Sequence, residues 1–382
     1  MPEQHALLSA SGSHKWLHCT PSARLEEKMP EQESVYANEG RLAHEIGELK
    51  LKKQFTDPMG PKKYKSALKK LQENPLYQDE MDRYTDMYVE HIAGIIHSFT
   101  SPPYIAIEKR LDYSQYAPEG FGTGDCIIIG GNTLHVIDLK YGKGVPVSAK
   151  DNPQMKLYAL GAFTEYSFLY QIEKISTTII QPRLDNISND VITIDELLKW
   201  GAAIAPTAQK AFFGEGEHVP GEWCRFCRAK ALCRARADFN MALDTYKQIN
   251  PALITNDEIG RILQKAKDLA AWAKDLEEYA LSELLKGNQV EGWKAVEGRS
   301  NRRFINQDEA FAVVKANGID EAMLYERKPI TLTAVEKLLG EKRFNELLGN
   351  HVEKPKGSPT LATIEDKRSA YQTITLQEAF GN

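Results

Sequence analysis

The chain has 382 residues, 42% of them hydrophobic, and a formal net charge of −5 at pH 7. This length is sufficient for two or three domains that each have a hydrophobic core. The negative charge argues against a protein that coats nucleic acid through its overall field, so any such contact must come from local basic surfaces. The sequence has no membrane-spanning run and no signal-peptide pattern, which predicts a cytoplasmic protein without membrane contacts.

The first predicted elements are two helices followed by a strand. Residues 35–53 and residues 77–99 carry apolar side chains at helical spacing. Residues 104–111 alternate apolar and charged side chains, which is typical of a strand with one buried face. The sequence therefore indicates an α/β domain that begins with helices.

A β-hairpin is predicted next. Two runs rich in β-branched residues, 126–129 and 133–138, flank the dipeptide Gly131-Asn132, which suits a tight turn. Both faces of these strands are apolar, as expected of interior strands that helices cover on both sides. We therefore expect this hairpin to lie inside a sheet.

The hairpin is predicted to bring three charged residues together. Counting outward from the turn places Asp125 directly opposite Asp138, and cross-strand partners share one face with Cβ atoms about 5 Å apart. Lys140 lies two residues beyond Asp138 and therefore projects from the same face. Two carboxylates and an amine at this spacing suit Mg²⁺ or Mn²⁺ and indicate a phosphodiesterase centre. The alternative is a surface hairpin in which Asp138 and Lys140 form an ordinary ion pair.

A helix and two further strands follow. Residues 151–166 have helical periodicity, and Gln154 and Tyr158 share one face because they are four residues apart. This amide and phenol could contact a nucleic-acid backbone or brace the metal site, although each alone could be a polar residue at a packing edge. Residues 175–181 form a β-branched run that predicts a fourth strand, with residues 191–194 as a fifth.

The cysteines form a second pattern. Cys224, Cys227 and Cys233 follow the spacing C-x2-C-x5-C, and Cys19 lies far upstream. Four thiolates can bind an iron–sulfur cluster or a structural zinc ion, and the x5 spacing lacks the paired C-x2-C knuckles of zinc ribbons. The fifth, Cys126, is expected to be an ordinary buried residue. This usage indicates a reduced compartment rather than a disulfide framework.

Together these motifs resemble the RecB-like branch of the PD-(D/E)xK nuclease superfamily. The family pattern is a G-x-x-D strand, a (D/E)-x-K strand and Q-x3-Y on a helix. Its counterparts in this chain are Gly122 to Asp125, Asp138 to Lys140, and Gln154 to Tyr158. The resemblance implies a restriction-endonuclease-like α/β core, built from a helix, a three-stranded antiparallel meander, a helix and a strand.

The resemblance also implies a set of metal ligands. His44, within GRLAHEIGE, is similar to an upstream histidine that binds metal in RecB-type members, where it would act with Asp125 and Asp138. Glu108 is the counterpart of an acidic residue that some members place on the first strand. The ion implied is Mg²⁺ or Mn²⁺.

The activity implied is that of a metal-dependent DNA nuclease, specifically an exonuclease that acts on DNA ends. In this scheme Asp125, Asp138 and Glu108 belong to the catalytic group, and Lys140 assists the attacking water. The helix pair, Gln154 and Tyr158, would contact the substrate.

A further feature of the resemblance concerns the cysteines. Members of the AddB and Cas4 types carry a 4Fe-4S cluster held by one cysteine ahead of the nuclease core and three behind it. The resemblance implies that Cys19, Cys224, Cys227 and Cys233 hold such a structural cluster, with zinc as the alternative. The whole chain is also similar to an uncharacterised family of phages and prophages, which implies partners in phage DNA recombination or replication in a bacterial host.

The C-terminal part is predicted to be mainly helical. The expected elements are helices at residues 255–285, 308–317 and 333–348, with a short β-hairpin at 293–304. The predicted division is a nuclease domain with the cysteine site at residues 1–240, a helical accessory region at 241–352, and a linker with a tail at 353–382.

Three basic stretches are candidates for phosphate contacts. The first lies between Lys50 and Lys70. The second surrounds the cysteines and comprises Arg225, Arg228, Lys230, Arg234 and Arg236, and the third comprises Arg299, Arg302 and Arg303. A run of charge is also typical of a solvated face. We expect the second set to contact DNA, because cluster ligation would hold these side chains near the core.

Two other classes of protein stay open. One is a non-catalytic DNA-binding module that retains the nuclease fold as a scaffold. The other is an assembly protein whose cysteine site and long helix serve a partner. The presence of Asp125, Asp138 and Lys140 favours the enzyme, because a scaffold has no need of that charge cluster.

Overall fold

The structure is a computed structural model that describes most of the chain. The described residues are 6–30, 35–242, 256–296, 306–316, 324, 335, 340–348, 351 and 352. The chain divides into two compact units, Met1–Val296 and Glu297–Asn382. The predicted boundary near residue 240 falls within the first unit, and the predicted linker and tail lie outside the described residues.

The first unit begins with helices α1 to α5. They span Ser13–His18, Ser22–Glu27, Val35–Leu51, Pro61–Gln72 and Glu80–His97. The predicted first helix ends two residues early, where the chain continues as a π-helical turn over Lys52–Thr56. Helices α1, α2 and α4 were not predicted: the first two are only six residues long, and periodicity is a weak signal at that length.

A five-stranded sheet forms the centre of the unit. Strands β1 to β5 span Tyr104–Asp112, Phe121–Gly130, Thr133–Leu139, Lys174–Gln181 and Asn186–Thr193, with helix α6 at Pro153–Tyr166 between β3 and β4. The spatial order follows the sequence, with β3 and β4 parallel and every other neighbouring pair antiparallel. The mixed α/β class is therefore confirmed, with a mostly antiparallel sheet.

The β2–β3 hairpin has the predicted register. Gly131 takes a φ of +58°, a conformation that favours glycine, and the strands pair outward from Gly130↔Thr133 to Cys126↔Ile137. Helices cover both faces: Ile127 belongs to a core with Leu157 of α6, while Ile128 belongs to a second core with α5. The expectation of an interior hairpin is confirmed.

The fifth strand differs from its prediction at both ends, since it begins at Asn186, five residues before the predicted start at Val191. Ile194, predicted as the last strand residue, is instead the first residue of helix α7, Ile194–Phe213. The helix begins here because the Thr193 hydroxyl accepts a bond from the Glu196 amide and the Glu196 carboxylate accepts one from the Thr193 amide. The β-branched run continues through this boundary, so composition alone could not locate it.

The remaining described elements are helical. Helices α8 and α9 span Arg234–Met241 and Asn256–Leu285 in the first unit, and α10 and α11 span Gln307–Ala316 and Glu341–Leu348 in the second. Of the hairpin predicted at residues 293–304, residues 293–296 form no strand, and the rest lies outside the described residues. Within the described part of the chain, no helix combines the length and hydrophobicity needed to cross a bilayer.

Two helical glycines provide a test of the packing between α6 and the sheet. A Cβ at Gly161 of α6 would lie 3.0 Å from Leu111 Cβ and 3.2 Å from the carbonyl oxygen of Asp112 on β1. Gly161→Val is therefore expected to lower the free energy of unfolding by about 1–3 kcal/mol through overpacking, as measured by urea denaturation.

The control is Gly94→Ala, on the exposed side of α5, where an added Cβ meets nothing within 4 Å. This substitution is expected to raise the free energy of unfolding by about 0.5–1 kcal/mol, because alanine is the better helix former. Stabilisation by both variants would contradict the close approach of α6 to β1.

Candidate metal centre

The centre is built around Asp125, which lies near the middle of β2. It is one step beyond the last paired residues of the β2–β3 ladder and is buried. Its Oδ2 accepts a 2.7 Å hydrogen bond from the amide of Leu139 and lies 3.4 Å from Nδ1 of His44 on α3. The backbone of β3 and a side chain from α3 therefore fix this carboxylate together.

Asp138 lies across the hairpin on β3 and has two polar partners. Lys140 Nζ is 2.9 Å from its Oδ2, and Gln154 Nε2 donates to its Oδ1 at 3.1 Å. Gln154 is in the first turn of α6, whose start is fixed because the Asn152 side chain accepts bonds from the next amides. The predicted carboxylate, amine and amide are thus brought to one place by β3 and α6.

Glu108 reaches the centre through an unusual backbone. Its φ is +50°, and it lies between the β1–β2 pairs Ile107↔Cys126 and Lys109↔Gly124, opposite Asp125. A non-glycine residue in this region inside a strand is strained. Donor atoms of Glu108, His44 and Asp125 all lie within 4.8 Å of one another.

Electrostatics couple His44 to Asp125. Burial by itself lowers the pKa of His44, but the charge and hydrogen bond of Asp125, with help from Asp138, outweigh it and raise the pKa to about 9. Burial raises the pKa of Asp125, yet the charge and hydrogen bond of His44, together with Lys140, bring it below its usual value. Without a metal, an imidazolium therefore neutralises Asp125.

The pKa values of the three other ionisable groups are raised, in contrast to that of Asp125. Burial, followed by the charge of Asp125, raises the pKa of Glu108 to about 8. Burial also raises the pKa of Asp138, although Lys140 partly offsets it. Burial lowers the pKa of Lys140, but the two aspartates more than compensate and raise it, so the amine stays charged at neutral pH.

Tyr158 and Gly122, two further residues of the predicted motif, pack against each other. Tyr158 is buried, and its hydroxyl is 3.4 Å from Gln154 Nε2. A Cβ at Gly122 would lie only 2.7 Å from Cε1 of Tyr158, so glycine is needed for this ring to pack against β2. In this arrangement Gln154 and Tyr158 brace the centre, and their contact with a substrate stays a prediction.

The donor set fits a divalent cation. One imidazole nitrogen and two carboxylates leave room for waters in an octahedral shell, which suits Mn²⁺ or Mg²⁺. The predicted ligands were His44, Asp125 and Asp138, whereas the closest group of donors contains Glu108 in place of Asp138. Asp138 lies beside this group and is bonded to Lys140 and Gln154.

The four predicted cluster cysteines line one cavity. Cys19 follows α1, Cys224 and Cys227 lie in and after a 3₁₀ turn over Glu222–Phe226, and Cys233 precedes α8. Burial raises the pKa of the Cys19 and Cys224 thiols, and raises that of Cys227 to about 12. The fifth cysteine, Cys126, is buried in the sheet, as predicted.

Polar contacts hold the two halves of the cysteine site together. The Glu26 carboxylate accepts bonds from Lys15 Nζ at 2.6 Å and from the amide of Arg228 at 2.7 Å. Arg24 Nε donates to the carbonyl of Phe212 at 2.7 Å. These residues were not predicted, because no spacing in the sequence connects α2 with a loop two hundred residues away.

The basic residues around the cysteines do not act as one surface. Arg236, predicted to contact phosphate, is buried and donates to Asp275 of α9 at 2.6 Å. Lys230 Nζ is also 2.6 Å from Asp275. The prediction for Arg236 is therefore wrong: this guanidinium serves the packing of α8 against α9.

The fold and the centre define a mixed α/β protein with a candidate divalent-metal site. A family model described as "Protein of unknown function (DUF2800)" matches residues 5–369, so the chain belongs to this family. A solved structure described as "Crystal structure of SSO0001" is 16% identical over 58% of this chain and 96% of that chain, with a TM-score of 0.24. A TM-score this low carries no argument about the fold.

Metal binding at this centre is expected to release protons. Because the pKa of His44 is about 9 and that of Glu108 about 8, both hold a proton at pH 7 in the metal-free protein. Mn²⁺ must displace these protons, so its affinity should rise between pH 6 and pH 9. Calorimetric titration in buffers of different ionisation enthalpy measures the number released.

Glu108→Gln should reduce the number of protons released and weaken Mn²⁺ binding by about tenfold or more. The matched control is Glu165→Gln, which removes a partly exposed carboxylate that pairs with Lys109 at 2.6 Å. An affinity that does not change with pH, or an equal effect of both variants, would count against the centre described.

Proposed function

We propose that this protein is a Mg²⁺- or Mn²⁺-dependent deoxyribonuclease of the RecB-like PD-(D/E)xK type that acts on DNA ends. The observation that carries the proposal is the convergence of His44, Glu108 and Asp125 donor atoms within 4.8 Å, with the Asp138–Lys140 pair beside them. The order of helix, antiparallel meander, crossover helix and parallel strand supports the same assignment.

The side chains have distinct parts in this proposal. A bound divalent cation supplies Lewis-acid activation of a phosphate oxygen and of water. Lys140 is charged at neutral pH and is held by Asp138, so its ammonium can orient the attacking water and offset charge on the phosphodiester. Gln154 and Tyr158 keep Asp138 in position.

The resemblance to phage and prophage proteins supports a role in phage DNA recombination or replication inside the host cell. DNA and other recombination proteins are the partners that this role requires. End-directed cleavage is the form of activity that fits it.

The nuclease assay uses linear duplex, circular duplex and single-stranded DNA with Mn²⁺. The wild-type protein is expected to degrade linear DNA and to leave the circle intact. Lys140→Ala should reduce the rate by about 100-fold or more, because it removes a charge aimed at the reacting phosphate. Lys109→Ala, which removes a partly exposed lysine from β1, is the control and should cleave at the wild-type rate.

The outcomes separate the three classes. DNA binding without cleavage by the wild-type protein would contradict the enzyme and favour the scaffold. Absence of both would favour an assembly protein. Cleavage that Lys140→Ala leaves unchanged would remove Lys140 from the mechanism.

We also propose that the cysteine cavity holds a 4Fe-4S cluster. All four thiols line the same cavity, as ligation of one shared metal group requires. The C-x2-C-x5-C spacing lacks the paired C-x2-C knuckles of zinc ribbons, which favours a cluster over a single zinc ion.

Protein purified without oxygen is expected to be brown, to absorb at about 400 nm and to contain about four iron atoms per chain. Cys224→Ser should lower the iron content sharply. Cys126→Ala should leave it unchanged, since Cys126 lies in the sheet and not in the cavity. One zinc per chain without iron would overturn the cluster and favour the zinc alternative.

A further inference from the structure

Helix α4 has a basic face that is free of acidic residues. Its sequence, PKKYKSALKKLQ, contains five lysines and no aspartate or glutamate. The lysines are exposed and are Lys62, Lys63, Lys65, Lys69 and Lys70. In a chain with a net charge of −5, this concentration of positive charge on one short helix is a local feature and not a reflection of composition.

The charge of this face is not neutralised by neighbours. In the part of the chain that the structure describes, none of the five lysine side chains forms an ion pair or a hydrogen bond. The acids that approach α4 from α5 are Asp82 and Asp86, and the buried Lys50 pairs with both, at 3.3 and 2.7 Å. The lysines are therefore available to an external anion.

The opposite face of α4 is already packed. Leu68 and Leu71 lie against a core cluster that contains Leu42 and Ile46 of α3 and Met81 of α5. The helix is thus held rigidly by its apolar side, and that side cannot insert into a lipid surface. A partner of α4 must be recognised by charge alone, which favours a phosphate backbone over a membrane.

The basic face is connected to the metal centre through α3. Lys52 follows directly after α3 and pairs with Glu48, which lies one helical turn beyond His44. The next residue, Lys53, has its ammonium 3.8 Å from the ring centroid of Tyr64 on α4. Lys53 therefore adds a further positive charge beside α4, just beyond the end of the helix that carries His44.

We propose that the lysine face of α4 binds the phosphate backbone of duplex DNA and delivers the strand to the metal centre. This inference rests on the proposed function and adds the surface by which the substrate is held. From Lys62 to Lys69 the face extends about 10 Å, since a helix rises about 1.5 Å per residue. That length corresponds to about three base pairs at about 3.4 Å each.

The test compares two triple variants of equal charge. K62Q/K65Q/K69Q removes three lysines from α4, and glutamine preserves helix propensity. K174Q/K199Q/K210Q removes three exposed lysines from β4 and α7. Binding of a fluorescently labelled duplex is measured by anisotropy in EDTA, where no cleavage occurs, at salt concentrations from 50 to 200 mM. Far-ultraviolet circular dichroism and thermal melting verify that all the proteins are folded.

The α4 variant is expected to bind about 10- to 100-fold more weakly, and the slope of log affinity against log salt should fall by about two to three. The control variant should bind like the wild-type protein. With Mn²⁺, the α4 variant should need more DNA for half-maximal cleavage but keep its rate at saturation, because the centre is intact.

Three results would overturn the proposal: wild-type DNA affinity in the α4 variant, equal loss in both variants, or loss of binding to anionic phospholipid vesicles in the α4 variant while DNA binding is retained. Failure of the proposed function is a separate result. DNA binding that depends on α4 without cleavage by any protein would remove the nuclease and leave the binding surface.

Discussion

The constraint on which the centre depends is the crowding of three carboxyl groups, of which Asp125 and Asp138 are buried and Glu108 is half-buried. Burial and the charge of Asp125 keep Glu108 protonated at neutral pH, and a buried charge is tolerated only when a partner offsets it. In the metal-free protein the offset comes from His44 and Lys140, whose pKa values are both raised by the aspartates. The acids cannot move apart to relieve the repulsion, because β2 and β3 are packed on both faces. In the proposed metal-bound state, a divalent cation would take the place of the His44 proton and offset the same carboxylates.

The backbone conformation of Glu108 is strained, and this strain is the free-energy cost of bringing its side chain to the centre. A non-glycine residue with a φ of +50° costs about 1–3 kcal/mol, and β1 keeps the same register with β2 on either side of it. The distortion therefore re-aims one side chain without shifting the strand. Such strain persists only where the surroundings over-determine it, and here the flanking pairs and the core under α5 supply that restraint. Its position opposite Asp125 is what brings the third acid into the donor group.

The sequence was informative wherever covalent geometry decides the outcome. The hairpin register could be counted from Gly131, and the helical spacing of Gln154 and Tyr158 predicted that both share one helix face, which the structure turns toward Asp138. It was uninformative where tertiary contacts decide. The backbone of Glu108, the burial of Arg236 against α9 and the packing of α4 onto α3 depend on residues distant in the sequence. Periodicity also could not separate β5 from α7, since a side-chain cap determines that boundary.

The cysteine site is also held together by contacts between distant segments of the chain. Cross-linking segments roughly two hundred residues apart restricts the unfolded chain by about 5 kcal/mol in a loop-entropy description. Metal ligation need not be the only link between these segments. The Glu26 carboxylate already accepts bonds from Lys15 and from the amide of Arg228, and Arg24 donates to the carbonyl of Phe212. The thiols therefore line one cavity before ligation, and the raised pKa values of Cys19, Cys224 and Cys227 mean that a metal would have to displace their protons. In the proposed cluster, ligation would secure an arrangement that these polar contacts already make, so the site could form from both ends of the core without disturbing the sheet between them.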